Sequence, residues 1–241
     1  MREREFDAYA AEYDALLEDP VRRRFAPGNT FFVSRKIEVI LKLLRAAGRD
    51  PATLRWLDVG CGRGELLSGA RAHFLEARGC DVSAGMLGHA PAVDVAMQPD
   101  PGRLPFEDGA FDFVTAVCVF HHVEPADRAG LLAEIKRVLA PDGLIMLVEH
   151  NPLNPVTRLI VSRAAVDRDA RLLTGRSARR LFARERIEPL ASRHFLLLPE
   201  SLYSRFGAIE RFLSRMPLAG QYAVLGRIRG REDVQYGGRQ V

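Results

Sequence analysis

Asp58, Gly60, Gly62 and Gly64 stand in the spacing D-x-G-x-G-x-G, and Asp81 follows 17 residues after the last of these glycines. Glycines at this density let a backbone pass close to a ligand, and the first N–H groups of a following helix are unpaired donors. By themselves they mean no more than a tight strand-to-helix turn. Asp81 adds an acid at the end of the next strand-like run, where a carboxylate can take both hydroxyls of a ribose. A dinucleotide site would share that acid, but it more often reads G-x-G-x-x-G/A and needs no acid ahead of its first glycine. Asp58 is placed to meet an ammonium through the loop, and no G-K-[ST] accompanies the glycines. A nucleoside carrying a sulfonium and an amino acid fits this set better than a pyrophosphate.

A second group follows the fourth and fifth strand-like runs: Cys118, His121 and His122, then Glu149 and His150. Neighbouring parallel strands open their carboxyl ends onto one crevice, so a histidine from one and a carboxylate from the other can meet there. Such a pair makes a base and its orienter for an acceptor hydroxyl. His121 as base with Glu149 as partner is the favoured assignment. Adjacent residues tend to point apart, so one of the two histidines is expected to face the acceptor while the other lines the cofactor pocket or braces the loop. No ligand spacing joins Cys118, His121, His122 and His150, and no metal is expected.

These groups need a parallel sheet to bring them together. Short runs at 54–59, 77–81, 93–97, 111–119 and 144–149 are apolar on consecutive residues, which marks strands covered on both faces, and helical stretches separate them. Before the fifth run, Pro125 can open a helix whose buried stripe is Leu131, Leu132, Ile135, Val138 and Leu139, and Pro141-Asp142-Gly143 turns the chain back. Asn151-Pro152-Leu153-Asn154-Pro155 reads as a loop whose prolines forbid an immediate helix. A helix is expected over 177–186, and another over 199–215 between apolar runs at 194–198 and 222–228 that could pair antiparallel and close the sheet. The first 50 residues read as helices: Phe6, Tyr9, Ala10 and Tyr13 share one stripe, and Phe32, Lys36, Ile40, Leu43 and Leu44 another, with the Lys36 stem tolerated among apolar neighbours. Asn29 or Thr30 can cap this second helix and Gly48 can end it.

Composition sets wider bounds. With 241 residues and 47% hydrophobic content, one large α/β domain is the default. No run spans a bilayer, the first residues are charged, and the three cysteines lie in or beside predicted strand ends, so a soluble cytoplasmic protein is expected. The net charge of +4 is weak support for a nucleic-acid partner, because all but three of the 35 basic residues are arginines spread along the chain. No internal repeat is present.

LDVGCGRGELL, GCDVSAGML, DPGRLPFEDGAFDFV, VFHHV and EIKRVLAPDGLIMLVE, in this order over residues 54 to about 150, resemble the full motif series of class I methyltransferases. The resemblance implies a Rossmann-like, seven-stranded, mostly parallel sheet with helices on both faces and S-adenosylmethionine as cofactor. It further implies that Asp58, Gly60 and Gly62, with Cys61 between them, hold the methionine end and that Asp81 holds the ribose. Val82 and Met86 would flank the adenine, Asp100 would bind its amino group, and Val117 would line the same pocket. In the family the residue after that last acid commonly donates its backbone N–H to the ring. Here it is Pro101, which has none, so either Gly102 takes over or the loop register shifts. The flanks, Phe6-Asp7-Ala8-Tyr9, Tyr13-Asp14, Phe31-Phe32 and Glu149-His150-Asn151-Pro152 with Asn154-Pro155, resemble a bacterial subgroup often linked to glycan or secondary-metabolite modification. Pro217-Leu218-Ala219-Gly220-Gln221-Tyr222 fits it too. Tyr13 would reach the cofactor carboxylate from a helical cap.

The implied organisation is a cap over 1–50, a methyltransferase domain over 51–229 with acceptor-side insertions at about 150–217, and a disordered tail over 230–241. The implied activity is methylation of a small-molecule acceptor, on a sugar or natural-product hydroxyl, with amine and carbon acceptors open. A nicotinamide-dependent oxidoreductase and a nonenzymatic binding protein are the rivals. A nucleic-acid methyltransferase is disfavoured because the Asn-Pro-Pro-Tyr and Pro-Cys signatures are absent after the fourth strand. Oligomeric state is not readable.

Overall fold

The computed structural model describes residues 3–228, and the segment 230–241, expected as a disordered tail, lies outside them. Seven strands, β1 (Arg55–Val59), β2 (Glu76–Asp81), β3 (Asp94–Met97), β4 (Phe111–Val117), β5 (Leu139–His150), β6 (Ile187–Phe195) and β7 (Gln221–Ile228), form one sheet in the order β3-β2-β1-β4-β5-β7-β6. The first five run parallel, and β7 lies antiparallel between β5 and β6. This is the Rossmann-like, mostly parallel sheet that the consecutive apolar runs predict.

Period-two alternation sorts the strand residues between two cores. Leu57, Val59, Val114, Ala116, Ile145 and Leu147 meet helix α7 (Arg128–Val138) on one face. Trp56, Phe113, Met146 and Val148 meet α4 (Asn29–Ala46) and α5 (Glu65–Ala70) on the other. The region 1–50 therefore divides. Val39, Ile40, Leu43 and Leu44 sink α4 into the sheet core, while α1 (Glu3–Tyr9), α2 (Tyr13–Leu16) and α3 (Pro20–Phe25) precede it as short helices. Among the described residues, no helix is long and apolar enough to cross a membrane.

Three local expectations are corrected. Pro155 starts α8 (Pro155–Arg163) instead of delaying it, because proline at the first helical position gives up only an N–H that the helix does not use. Helix α7 begins at Arg128, three residues beyond Pro125, and Leu139 opens β5 rather than closing the helical stripe. The edge strand covers 187–195, not 194–198. Most of its residues are half-buried, and Pro189 sits at an irregularity in its pairing, as prolines in strands do at sheet edges. That leaves little alternation to read. The other late elements, α9 (Gly175–Arg184) and α10 (Glu200–Leu213), lie close to their expected places.

Candidate active site

The strand ends open onto a cleft of about 470 Å³. On one wall the chain leaves β1 through Gly60 and Gly62, whose φ values of +70° and +54° favour residues without a Cβ. A Cβ on Gly60 would lie 2.5 Å from Val119 Cγ2, so the close packing of this loop on the end of β4 also needs glycine. At Gly62 nothing stands within 4 Å of the same position, and the loop there borders open cleft.

Two carboxylates flank the loop. Asp58 is buried, and its Oδ1 accepts a 2.6 Å hydrogen bond from Thr115 Oγ1, which itself accepts from Trp56 Nε1 at 2.8 Å. Burial pushes the Asp58 pKa up to about 7 against the opposing pull of Thr115 and Lys36. Asp81 accepts from Gly62 N–H at 2.8 Å and from Ser83 N–H at 2.9 Å, one through each oxygen. Burial lifts its carboxyl above the usual range despite these bonds. Apolar Val82 and Met86 border the cleft beyond Asp81, Met86 on the short helix α6 (Ala84–Gly88).

The opposite wall begins where β4 ends. Cys118, at φ +59°, breaks the strand, and a tight turn with His122 N–H bonded to Val119 O brings His121 and His122 to the cleft. His121 is sealed from solvent. Its Nδ1 lies 2.5 Å from Glu149 Oε2, and Glu149 Oε1 accepts from Phe120 N–H at 2.7 Å. On the other side, His121 Nε2 and His122 Nε2 lie 3.3 Å and 3.5 Å from Asp167 Oδ1. Burial opposes charge on His121, but Glu149 and Asp167 hold its pKa well above the ordinary value. Burial, then the charge on His121, pushes His122 down to about 4. Burial would likewise raise Glu149, yet His121 holds its carboxyl low. With Nδ1 on Glu149 and Nε2 facing Asp167, neither ring nitrogen of His121 is turned toward an acceptor hydroxyl in the cleft.

No local pattern in the sequence marks Asp167, and its place depends on long-range anchors. It ends a 3₁₀ turn over Ala165–Asp167 after α8. The following stretch is fixed by Arg171 N–H to His121 O at 2.6 Å, by Arg128 to the carbonyls of Val123 and Arg171, and by Tyr222 Oη to Leu173 O. The Asn residues after Glu149 act similarly. Asn151 donates to the carbonyls of Pro217 and Ala219, and Asn154 caps α8 through Thr157 N–H while donating to Leu218 O. The two motifs 149–155 and 217–222 are thus one interlocked corner.

Helix α1 closes the cleft from above. Asp7 Oδ1 accepts from Ser83 Oγ at 2.6 Å and Gly85 N–H at 2.9 Å, and Phe6 meets the His122 ring edge-on at 5.1 Å. Tyr13 lines the same space, and burial raises its phenol pKa.

Of the residues expected at the cofactor, Tyr13, Asp58, Gly60, Cys61, Gly62, Asp81, Val82, Met86 and Val117 all line the cleft. Asp100, Pro101 and Gly102 do not. Asp100 is exposed and its Oδ1 accepts from Gly102 N–H at 2.7 Å, so the amide that was to replace the missing Pro101 donor is taken up by Asp100 itself. Gln98, buried below, holds the carbonyls of Asp100 and Pro101. Lys36, read from its helical stripe as a tolerated stem, lines the cleft, where its charge bears on Asp58 and Cys118.

Residues 57–147 match the family described as a methyltransferase domain. Over 112 residues the chain is 36% identical to a demethylmenaquinone methyltransferase of Thermus thermophilus, a match covering 43% of this chain and 50% of that protein. Over 99 residues it is 34% identical to a probable tRNA methyltransferase 9B of Mus musculus, covering 37% and 20%. The chain thus spans half or less of these curated relatives. Among solved structures it is similar to a possible histamine N-methyltransferase of Thermotoga maritima, with TM-score 0.68, 17% identity and coverage of 93% and 98%. The [4+2]-cyclase SpnF shares the fold at TM-score 0.64, 17% identity and coverage of 95% and 96%. Residues 57–147 thus match a methyltransferase domain, carried on the seven-stranded Rossmann-like sheet that these solved structures share.

Proposed function

We propose that the protein transfers a methyl group from S-adenosylmethionine to a small-molecule acceptor, through a hydroxyl on a natural-product or sugar scaffold. The observation that carries this reading is the facing of two walls across one cleft: Asp58, the glycine loop and Asp81 on one side, and His121, His122 and Asp167 on the other. The donor wall fits the cofactor by its chemistry. Asp58 would meet the ammonium, the open loop at Gly62 would pass along the methionine chain, Asp81 would hold the ribose, and Val82 with Met86 would cover the adenine. Bound there, the cofactor supplies an electrophilic methyl on its sulfonium.

The chain's own contribution is alignment and proton handling. An acceptor hydroxyl held against the second wall meets Asp167, whose carboxylate faces the cleft and is oriented by the two histidines. Glu149, behind His121, fixes the ring that fixes Asp167. In this arrangement His121 and Glu149 position, and the carboxylate of Asp167 is the group that can receive the proton. Phe6, Leu17, Ile160, Val161, Val166 and Leu197 line the cleft with apolar surface, which favours a largely apolar acceptor. The modest cleft volume favours a small molecule over a nucleic acid. Incubation of the full chain with isotopically labelled S-adenosylmethionine and a panel of phenols, hydroxylated polyketides, quinols, glycosides and amines tests the reading, with products read by mass spectrometry. Label transfer to a hydroxyl acceptor supports it; transfer confined to amines or to RNA contradicts it.

A further inference from the structure

We propose that His121, His122 and Asp167 form a divalent-metal site on the acceptor wall of the cleft. The donor atoms are Nε2 of each histidine and Oδ1 of the aspartate. The oxygen lies 3.3 Å and 3.5 Å from the two nitrogens, and all three atoms lie within 4.8 Å of one another. Contacts of this length exceed a good N–H···O hydrogen bond, which clusters at about 2.9–3.0 Å. They match the separation of roughly 3–3.5 Å between two ligands that each sit about 2.0–2.2 Å from a shared ion.

The orientation of His121 points the same way. A metal-binding histidine usually donates its second ring nitrogen to a carboxylate, which fixes the tautomer and turns the first nitrogen outward. Glu149 occupies that position on Nδ1 and is itself held by Phe120 N–H. Neither donor segment is loose: Arg171 N–H bonds His121 O, and Arg128 ties the turn after His122 to the segment after Asp167.

Two imidazoles and one carboxylate suit a borderline ion such as Zn²⁺, Co²⁺ or Fe²⁺ better than Mg²⁺ or Ca²⁺. Three protein ligands leave coordination positions open, as catalytic rather than structural sites do, and all three residues line the cleft. An oxygen of the acceptor would complete the shell, with Oδ2 of Asp167, the oxygen not used as a ligand, left to receive its proton. That last step rests on the function proposed above; the ion site does not.

The test uses the full chain stripped with a chelator and titrated with Co²⁺, read by visible d–d absorption, with Zn²⁺ as competitor. Saturable Co²⁺ binding displaced by Zn²⁺ is expected. His122→Gln and Asp167→Asn should each weaken it by at least about tenfold, and Glu149→Gln by about 10–100-fold. His73→Gln, at an exposed position remote from the cleft, should leave it unchanged. His122 retains some solvent exposure, so its variant is expected to fold, and S-adenosylhomocysteine binding by each variant checks this. Absence of saturable Co²⁺ binding by the wild type, or binding that survives both His122→Gln and Asp167→Asn, overturns the proposal. Metal binding without S-adenosylhomocysteine binding by the wild type would support the ion site and contradict the methyltransferase reading.

Discussion

Glu149 and His121 meet at 2.5 Å with both side chains sealed from solvent, one at the end of β5 and the other in the turn after β4. Neither has water to fall back on. Removing the charge of Glu149 leaves His121 with the longer contact to Asp167 in place of its nearest partner, and breaking a buried pair costs about 3–5 kcal/mol. Glu149→Gln is therefore expected to lower the unfolding free energy by about 3 kcal/mol in urea titrations. His122→Gln, at a position with some solvent access, should stay within about 1 kcal/mol of wild type. Equal stability losses in the two variants would contradict the assignment.

Asp58 gives a pH dependence of definite sign. Its carboxyl titrates at about 7 in the free protein, and an ammonium is met only by the ionised form. Affinity for S-adenosylhomocysteine should rise nearly tenfold per pH unit below about 7, with proton release on binding, and level off above it. For folding the sign is reversed. A raised carboxyl stabilises the free protein fully below the ordinary value of about 4, and that contribution is lost as pH climbs through about 7. Calorimetric titrations from about pH 5.5 to 8.5, with Asp58→Asn flattening the curve, check the first statement, and urea unfolding from about pH 4 to 8 checks the second.

The two loop glycines should fail differently. Gly60→Ala places a Cβ against Val119 at a left-handed φ, so it should cost about 2 kcal/mol or more in stability as well as cofactor affinity. Gly62→Ala meets no neighbouring atom but keeps the left-handed φ, so it should cost about 1 kcal/mol in stability, less than Gly60→Ala, with the remaining damage on cofactor binding. Thermal melts with and without S-adenosylhomocysteine separate the two effects.

Asn151→Ala leaves the carbonyls of Pro217 and Ala219 without their donor, at an expected cost of about 1–3 kcal/mol. On the proposed function, in which this corner borders the acceptor, KM for the acceptor should rise while S-adenosylhomocysteine affinity holds. A change confined to the cofactor would contradict the placement of the 149–155 and 217–222 segments.

The meeting of the glycine loop with Asp58 and Asp81 was legible because its determinants are local. A strand, three glycines and an acid follow one another in Leu57 to Gly64, and the next strand ends on Asp81, so spacing alone carries their arrangement. The acceptor half was only partly legible. His121 and Glu149 could be paired because adjacent parallel strands share an edge. Asp167 could not, since it reaches them through a helix and a 3₁₀ turn whose path depends on Arg128 and Tyr222, side chains far away in the chain. Lys36 fell on an apolar stripe and read as tolerated for want of a partner visible in its own helix. The edge strand was misplaced because a half-buried strand carrying Pro189 shows little period-two alternation.

The proposed function stands on S-adenosylmethionine binding in the cleft between these two walls. Titration calorimetry of the full chain with S-adenosylhomocysteine, and separately with NAD, tests it most directly. Saturable binding of S-adenosylhomocysteine is expected, weakened about 10–100-fold by Asp81→Asn through loss of charged hydrogen bonds, with no heat from NAD. Binding of NAD with none of S-adenosylhomocysteine would contradict it.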